Sequence, residues 1–241
     1  MDRTSVPPSP AARGEWGGDP GRSGGVRTMA TETAKRRRSP AKRAAITEAA
    51  LRVFLREGYT RASVDAIAAD AGVSKRTVYN HFRDKEALFA TIVAESSTAV
   101  AEDFTEVAAR HLDAPADAAS ALAAFGLEWA SPSSRRPDHG ALVRLLMAEA
   151  THFPDIIRVW QETGPEPVYR GLAARLRAMA DRGLLSLAEG EEEAATGHFV
   201  ALVQTPATNR SFFHTLPLPE AEHREIVRSG VDAFLRLYGP R

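Results

Sequence analysis

Apolar residues recur at spacings of three and four along most of this chain, and no strand-like alternation interrupts them. Ile46, Ala49, Ala50, Val53 and Phe54 mark a first helix that begins after Ser39-Pro40 and ends at Gly58. Ile67, Ala68 and Ala71 are the buried stripe of a short second helix capped by Ser63. Val78 and Phe82, four apart, face inward from a third helix capped by Ser74. Leu88, Phe89, Ile92 and Val93 open a fourth, which Asp84 caps and which runs to about Arg110. Further helices are predicted near 116–130, 139–151, 154–163, 166–182, 190–204 and 219–238. Breaks fall at Pro115, Ser131-Pro132 through Pro137, Pro154, Gly164-Pro165, Gly183, Pro206 and Pro217 through Pro219. The fold class is all-α: an N-terminal three-helix domain over 39–85, whose last two helices are joined by a tight turn, then a larger helical domain over 86–241.

The stretch from Ser63 to Lys85 carries the most chemistry. Ala68 is small enough to let the next helix approach. Gly72 stands where the second helix must stop, and glycine takes the left-handed backbone of a helix end without a Cβ penalty. Val73 plugs the turn. Lys75, Arg76, Thr77, Tyr79, Asn80 and His81 are then left on the outward side of the third helix. Few such side chains in a major groove suffice to read base edges. The plain alternative is a helical hairpin with a solvated basic face. The small residue, the glycine and the valine at helix-turn-helix spacing weigh against it.

Several of these residues also form a family signature: Phe54, Gly58-Tyr59-Thr60, Ile67-Ala68, Ala71-Gly72-Val73-Ser74, Thr77-Val78-Tyr79, His81-Phe82 and Asp84-Lys85-Glu86-Ala87-Leu88-Phe89. The stretch from Ile46 to Phe89 resembles the DNA-binding domain of TetR-family transcriptional regulators. The resemblance implies that Tyr79, His81 and Lys85 hold phosphates and that Lys75, Arg76, Thr77 and Asn80 face the bases, with Ser63 and Ser74 at the helix starts beside the DNA. Phe153-Pro154 after Glu149, Gly183-Leu184-Leu185 and the closing Phe234-Leu235-Arg236-Leu237-Tyr238 are similar to the C-terminal domain of the AefR-like branch.

Charge sharpens the division. The 241 residues balance to zero, but residues 35–90 hold thirteen basic and six acidic side chains, and residues 91–241 hold fourteen basic and twenty-one acidic. One part is therefore suited to a polyanion and the other is not. Residues 1–38, rich in Pro and Gly, read as a disordered basic tail, with Met29 an alternative start and Lys35-Arg36-Arg37-Arg38 a phosphate-contacting arm. The chain has no cysteine, which excludes disulfides, cysteine zinc sites and a thiol nucleophile. It shows no apolar run of membrane-span length and no signal core, so the expected location is cytoplasmic, with no membrane partner.

Phe125, Trp129, Met147, His152, Trp160, Tyr169 and Phe199 are candidates to line a small-molecule pocket between helices, or else ordinary core. A single reading motif covers few base pairs, so a homodimer on a palindromic duplex is expected. The last two helices are the candidate interface, as the resemblance also implies, through Phe199, Val203, Ile226, Val231 and Phe234. The alternative is that these residues pack within one subunit. Glu149-x-x-His152 and Glu220-x-x-His223 have the spacing of di-metal helical-bundle ligands. Glu220 equally suits a helix first turn. No cofactor, metal or catalytic constellation is otherwise indicated. The expected function is a ligand-responsive repressor. A constitutive DNA-binding protein and a di-metal enzyme are the alternatives.

Overall fold

The structure, a computed structural model, describes residues 39–131, 136–213 and 215–240. The tail, its arginine run and Met29 lie outside the described residues. Every regular element among the described residues is helical. In chain order they are α1 (Pro40–Glu57), α2 (Val64–Asp70), α3 (Lys75–His81), α4 (Lys85–Leu112), α5 (Ala118–Trp129), α6 (Pro137–Ala148), α7 (Pro154–Thr163), α8 (Pro165–Asp181), α9 (Glu192–Phe199), α10 (Thr205–Arg210) and α11 (Glu220–Tyr238).

Helix starts follow local chemistry. Asp84 accepts a hydrogen bond from the Ala87 amide at 2.7 Å to open α4, and Asp117 accepts from Ser120 at 2.8 Å to open α5. Proline stands in the first turn of α1, α6, α7 and α8, where its missing N–H costs nothing. The expected break at Pro206 is not there. The chain passes from α9 through one wide π turn at Val200–Gln204 straight into α10, which ends at Arg210. Pro206 lies where the continuous run passes from π to α turns, and its missing N–H leaves the Leu202 carbonyl without an amide from residue 206.

Two hydrophobic clusters result. The first joins Ile46, Val53 and Phe54 of α1 to Ile67, Val78, Leu88 and Phe89, and it also contains Leu142 and Leu146 of α6 and Ile156 of α7. The head core is thus completed by side chains some sixty residues beyond the expected boundary at residue 85, because α6 lies along α1 and α4. Phe153 packs edge-on to Tyr59 with ring centres 4.7 Å apart. The second cluster gathers Phe104, Leu122, Phe125, Leu172, Leu176, Phe199, Val227 and Phe234. Gly230 of α11 lets the backbones cross here: a Cβ would stand 2.3 Å from the Leu202 carbonyl oxygen.

Candidate nucleic-acid interface

The α2–α3 pair is tied at both starts. Ser63 accepts from the Ala66 amide at 3.1 Å, and Ser74 accepts from the Thr77 amide at 3.1 Å. The Ser74 and Thr77 hydroxyls lie 2.8 Å apart, which fixes the Thr77 rotamer at the front of α3. Gly72 closes α2 with φ of +63°, and the Val73 amide returns to the Ala68 carbonyl at 2.9 Å. Val78 and Phe82 anchor α3 on the buried side. Lys75, Arg76 and Tyr79 are exposed on the other, with Thr77, Asn80 and His81 half-buried beside them.

Two lysines are already engaged. Lys75 Nζ donates to Asp65 Oδ2 at 2.8 Å, and that hydrogen bond raises the ammonium above its usual range. Both partners are more than half exposed, so the pair is weak and exchanges readily for another anion. Lys85 is placed differently. Its Nζ donates to the carbonyl oxygens of Tyr59 at 2.8 Å, Ala62 at 3.0 Å and Thr60 at 3.4 Å, and it lies 4.4 Å over the Tyr59 ring. An ammonium has three N–H bonds, and all are used. Burial lowers its pKa. In this structure Lys85 fastens the 58–62 loop to α4 and is not free for the phosphate role expected of it. His81 is half-buried, its ring 6.4 Å from that of Phe82.

Behind the head lies a cavity of about 370 Å³ between α4, α6, α7 and α8. The structure brings four of the expected lining residues together on it: Trp129, Met147, Trp160 and Tyr169. Three others are elsewhere. Phe125 and Phe199 are fully buried in the second cluster, their rings 5.8 Å apart, with Trp129 stacked on Phe125 at 5.3 Å. His152 is exposed at the α6–α7 turn, 3.7 Å from Glu149. Sequence reasoning missed Ser97, His139, Gln204 and Phe213, and likewise Thr205, Thr208 and Asn209 of α10, which also line it. A lone serine in the apolar stripe of α4 was the visible signal for the first. Arg144 of α6 does not line the cavity and donates to the Phe213 carbonyl.

Of the expected interface residues, Phe199, Val203 and Phe234 are fully buried within the chain, and Val231 is nearly so. The short helix–helix crossing at Gly230 turns these side chains inward, so they serve the subunit core. Ile226 is half-exposed. Glu149 and His152 come within 3.7 Å, but among the described residues neither Glu-x-x-His motif gathers a third ligand. Glu149 lies 3.4 Å from the Thr60 hydroxyl while His152 is exposed. Glu220 pairs with Arg224, and His223 is buried. Among the described residues no cluster of three or more His, Asp or Glu side chains is placed to hold a metal ion, and no helix is long and apolar enough to cross a membrane.

Helical throughout its described residues, with two serine-capped helices joined at Gly72 and the second exposed on its basic face, the chain is a helix-turn-helix DNA-binding protein. Residues 46–92 match the family described as bacterial regulatory proteins of the tetR family, and residues 120–240 match the C-terminal domain of AefR-like transcriptional repressors. The chain belongs to the TetR family of transcriptional regulators. A crystal structure of a TetR-family regulator from Mesorhizobium loti superposes with a TM-score of 0.74 at 27% identity, covering 84% of this chain and all of that one. The flavonoid-responsive regulator FrrA superposes with a TM-score of 0.66 at 30% identity over the same shares. A helix-turn-helix transcriptional repressor of Mycobacterium tuberculosis is 36% identical over 61 residues, 25% of this chain. The match spans 33% of that relative's length, and 56% of the length of TtgW, a helix-turn-helix regulator of Pseudomonas putida.

Proposed function

We propose that the chain is a ligand-responsive repressor that binds a palindromic operator as a homodimer in the cytoplasm and acts by occupancy, without catalysis. The observation that carries this reading is α3: the Ser74 cap opens a short cationic helix whose charged face is outward, while Val78 and Phe82 fasten its back. Arg76, Thr77 and Asn80, with Lys75 released from Asp65, are the base-facing set; Tyr79 and His81 contact phosphate at its edges. A repressor among its relatives and a flavonoid-responsive regulator among its structural neighbours support the assignment.

The dimer seam is proposed on the outer flank of the helices first expected. Ile226, Ala233 and Leu237 share one stripe of α11, and Leu237 is 62% exposed. A second copy covering that stripe would give the two reading heads that an inverted repeat requires. Selection from random duplexes by the intact chain should return an inverted repeat with half-sites about one helical turn or a multiple apart. Light scattering should give a dimer, and Leu237→Glu a folded monomer. A pool without symmetry, together with a monomeric wild-type chain, would refute the reading.

A further inference from the structure

The wall chemistry of the cavity selects a ligand class. The rings of Trp129, Trp160, Tyr169 and Phe213 bound it, with Val143 and Val168 between them. Among the described residues, no Asp, Glu, Lys or Arg lines this lobe. In the adjoining lobe the charges neutralise one another: Arg136 bonds Asp103 at 2.8 Å, and Arg110 bonds Glu128. A ligand carboxylate or ammonium would shed its hydration here and meet no counter-charge.

His139, Gln204, Thr205, Thr208 and Asn209 bring neutral polar side chains to the wall, and Ser97 of α4 adds a buried hydroxyl. Ser97 is 1% exposed, and its hydroxyl has no hydrogen-bond partner. Hydroxyls within these helices ordinarily bond back to the carbonyl four residues earlier, as Thr91 does to Ala87 at 2.8 Å and Thr105 to Ala101 at 2.9 Å. Ser97 does not. Gly164 faces it across the floor, where a Cβ would stand 3.1 Å from the Ser97 Cβ and 3.6 Å from its oxygen. Any side chain at 164 would crowd Ser97. A buried donor kept unpaired is costly to the protein alone and is satisfied when an acceptor oxygen reaches it.

We propose that the cavity takes a neutral aromatic molecule of a few rings that carries a ketone-like acceptor, bound by the Ser97 hydroxyl while the tryptophans and Tyr169 stack on its rings. The volume of about 370 Å³ lies at the small end of ligand pockets, which run to about 1,000 Å³. This deepens the effector reading above and rests on it for its consequence at DNA, though the cavity chemistry is tested separately.

Two of the three tryptophans line the lobe, so intrinsic fluorescence of the full chain reports its occupancy. Three probes of one shape separate the chemistry: benzophenone, diphenylmethane and para-benzoylbenzoate. Benzophenone should quench saturably and bind about tenfold or more tighter than the carboxylate. Ser97→Ala should weaken benzophenone by about three- to tenfold and leave diphenylmethane unchanged, which also shows that the variant is folded. Equal affinity for benzophenone and its carboxylate would overturn the proposal. So would a Ser97→Ala effect of the same size on ketone and hydrocarbon, or no quenching by any probe. Operator binding measured on the same samples keeps the two readings apart. Selective ketone binding that leaves DNA affinity unchanged retains the ligand class and removes the effector role. Intact DNA binding with no selective probe removes the ligand class and retains the regulator.

Discussion

In the head, Phe54, Tyr59 and Phe89 meet ring to ring at 5.0–5.7 Å and Phe153 closes the side, so aromatic surface fills space. Farther along the chain, Trp129, Trp160, Tyr169 and Phe213 face one another across a hollow of about 370 Å³. The same residue types do opposite work in the two regions. A closed core holds the reading helix at one angle, whereas a hollow leaves the helices around it free to be repositioned by an occupant. Helix α6 belongs to both: Leu142 and Leu146 fill the head core, while Gly140, Val143 and Met147 line the hollow. His139 on the same helix lines the hollow and reaches Ser96 of α4 at 3.0 Å. Under the proposed function, an occupant that moved α6 would act on the head directly, in addition to any path along the long helix α4. The coupling asked of it is about 1–3 kcal/mol.

The contrast can be broken by substitution. Phe54→Ala should cost about 3–5 kcal/mol in urea unfolding, whereas Trp160→Ala, with one side facing the hollow, should cost about 1–2 kcal/mol. Equal losses would mean that the hollow is as tightly packed as the head. Leu146→Ala should cost about 2–4 kcal/mol, and amide exchange should quicken in α1 to α3 although the residue lies in α6. Faster exchange confined to residues beyond 100 would separate α6 from the head.

Titration probes the closed core in another way. Burial, followed by the nearby Glu86, Asp84 and Glu149 carboxylates, raises the Tyr59 phenol from 10.0 to about 12. The unfolded chain then releases this proton at lower pH than the folded chain does. The associated stability is full below about pH 10 and is lost as pH rises toward 12, a fall of about 2–3 kcal/mol. Tyr59→Phe should remove that component of the alkaline loss; an unchanged profile would place Tyr59 in contact with solvent. The smallest effect concerns the loop clamp. Lys85→Met should cost about 1–2 kcal/mol by freeing the carbonyls of Tyr59 and Ala62. It should leave the salt slope of DNA binding intact, since the ammonium is committed to the loop. A slope reduced by about 0.9 would return Lys85 to a phosphate.

The helices and their caps were legible because each depends on neighbours in sequence: Ser74 needs only Thr77, and Asp84 only Ala87. The exposed face of α3 was legible for the same reason, once Val78 and Phe82 marked its back. The fate of particular side chains was not. Phe125 and Trp129, four apart on one helix, stack on each other and both meet Phe199, yet Phe125 is fully buried while Trp129 reaches the cavity wall. Lys85 looked like a free cation until the 58–62 loop brought three carbonyl oxygens to it. The interface residues looked apolar and available until Gly230 let α11 sink against Leu202. Each of these outcomes depends on contacts distant in sequence, which no helical period records.

The assignment of α3 as the reading element is tested most directly by fluorescence anisotropy of the intact chain on its selected duplex and on a shuffled duplex of equal composition, from 50 to 200 mM salt. The selected duplex should bind about 10³-fold or more tighter, and its affinity should fall by about 10³ or more across that range. Equal affinity for the two duplexes, or no binding at 50 mM, would contradict it.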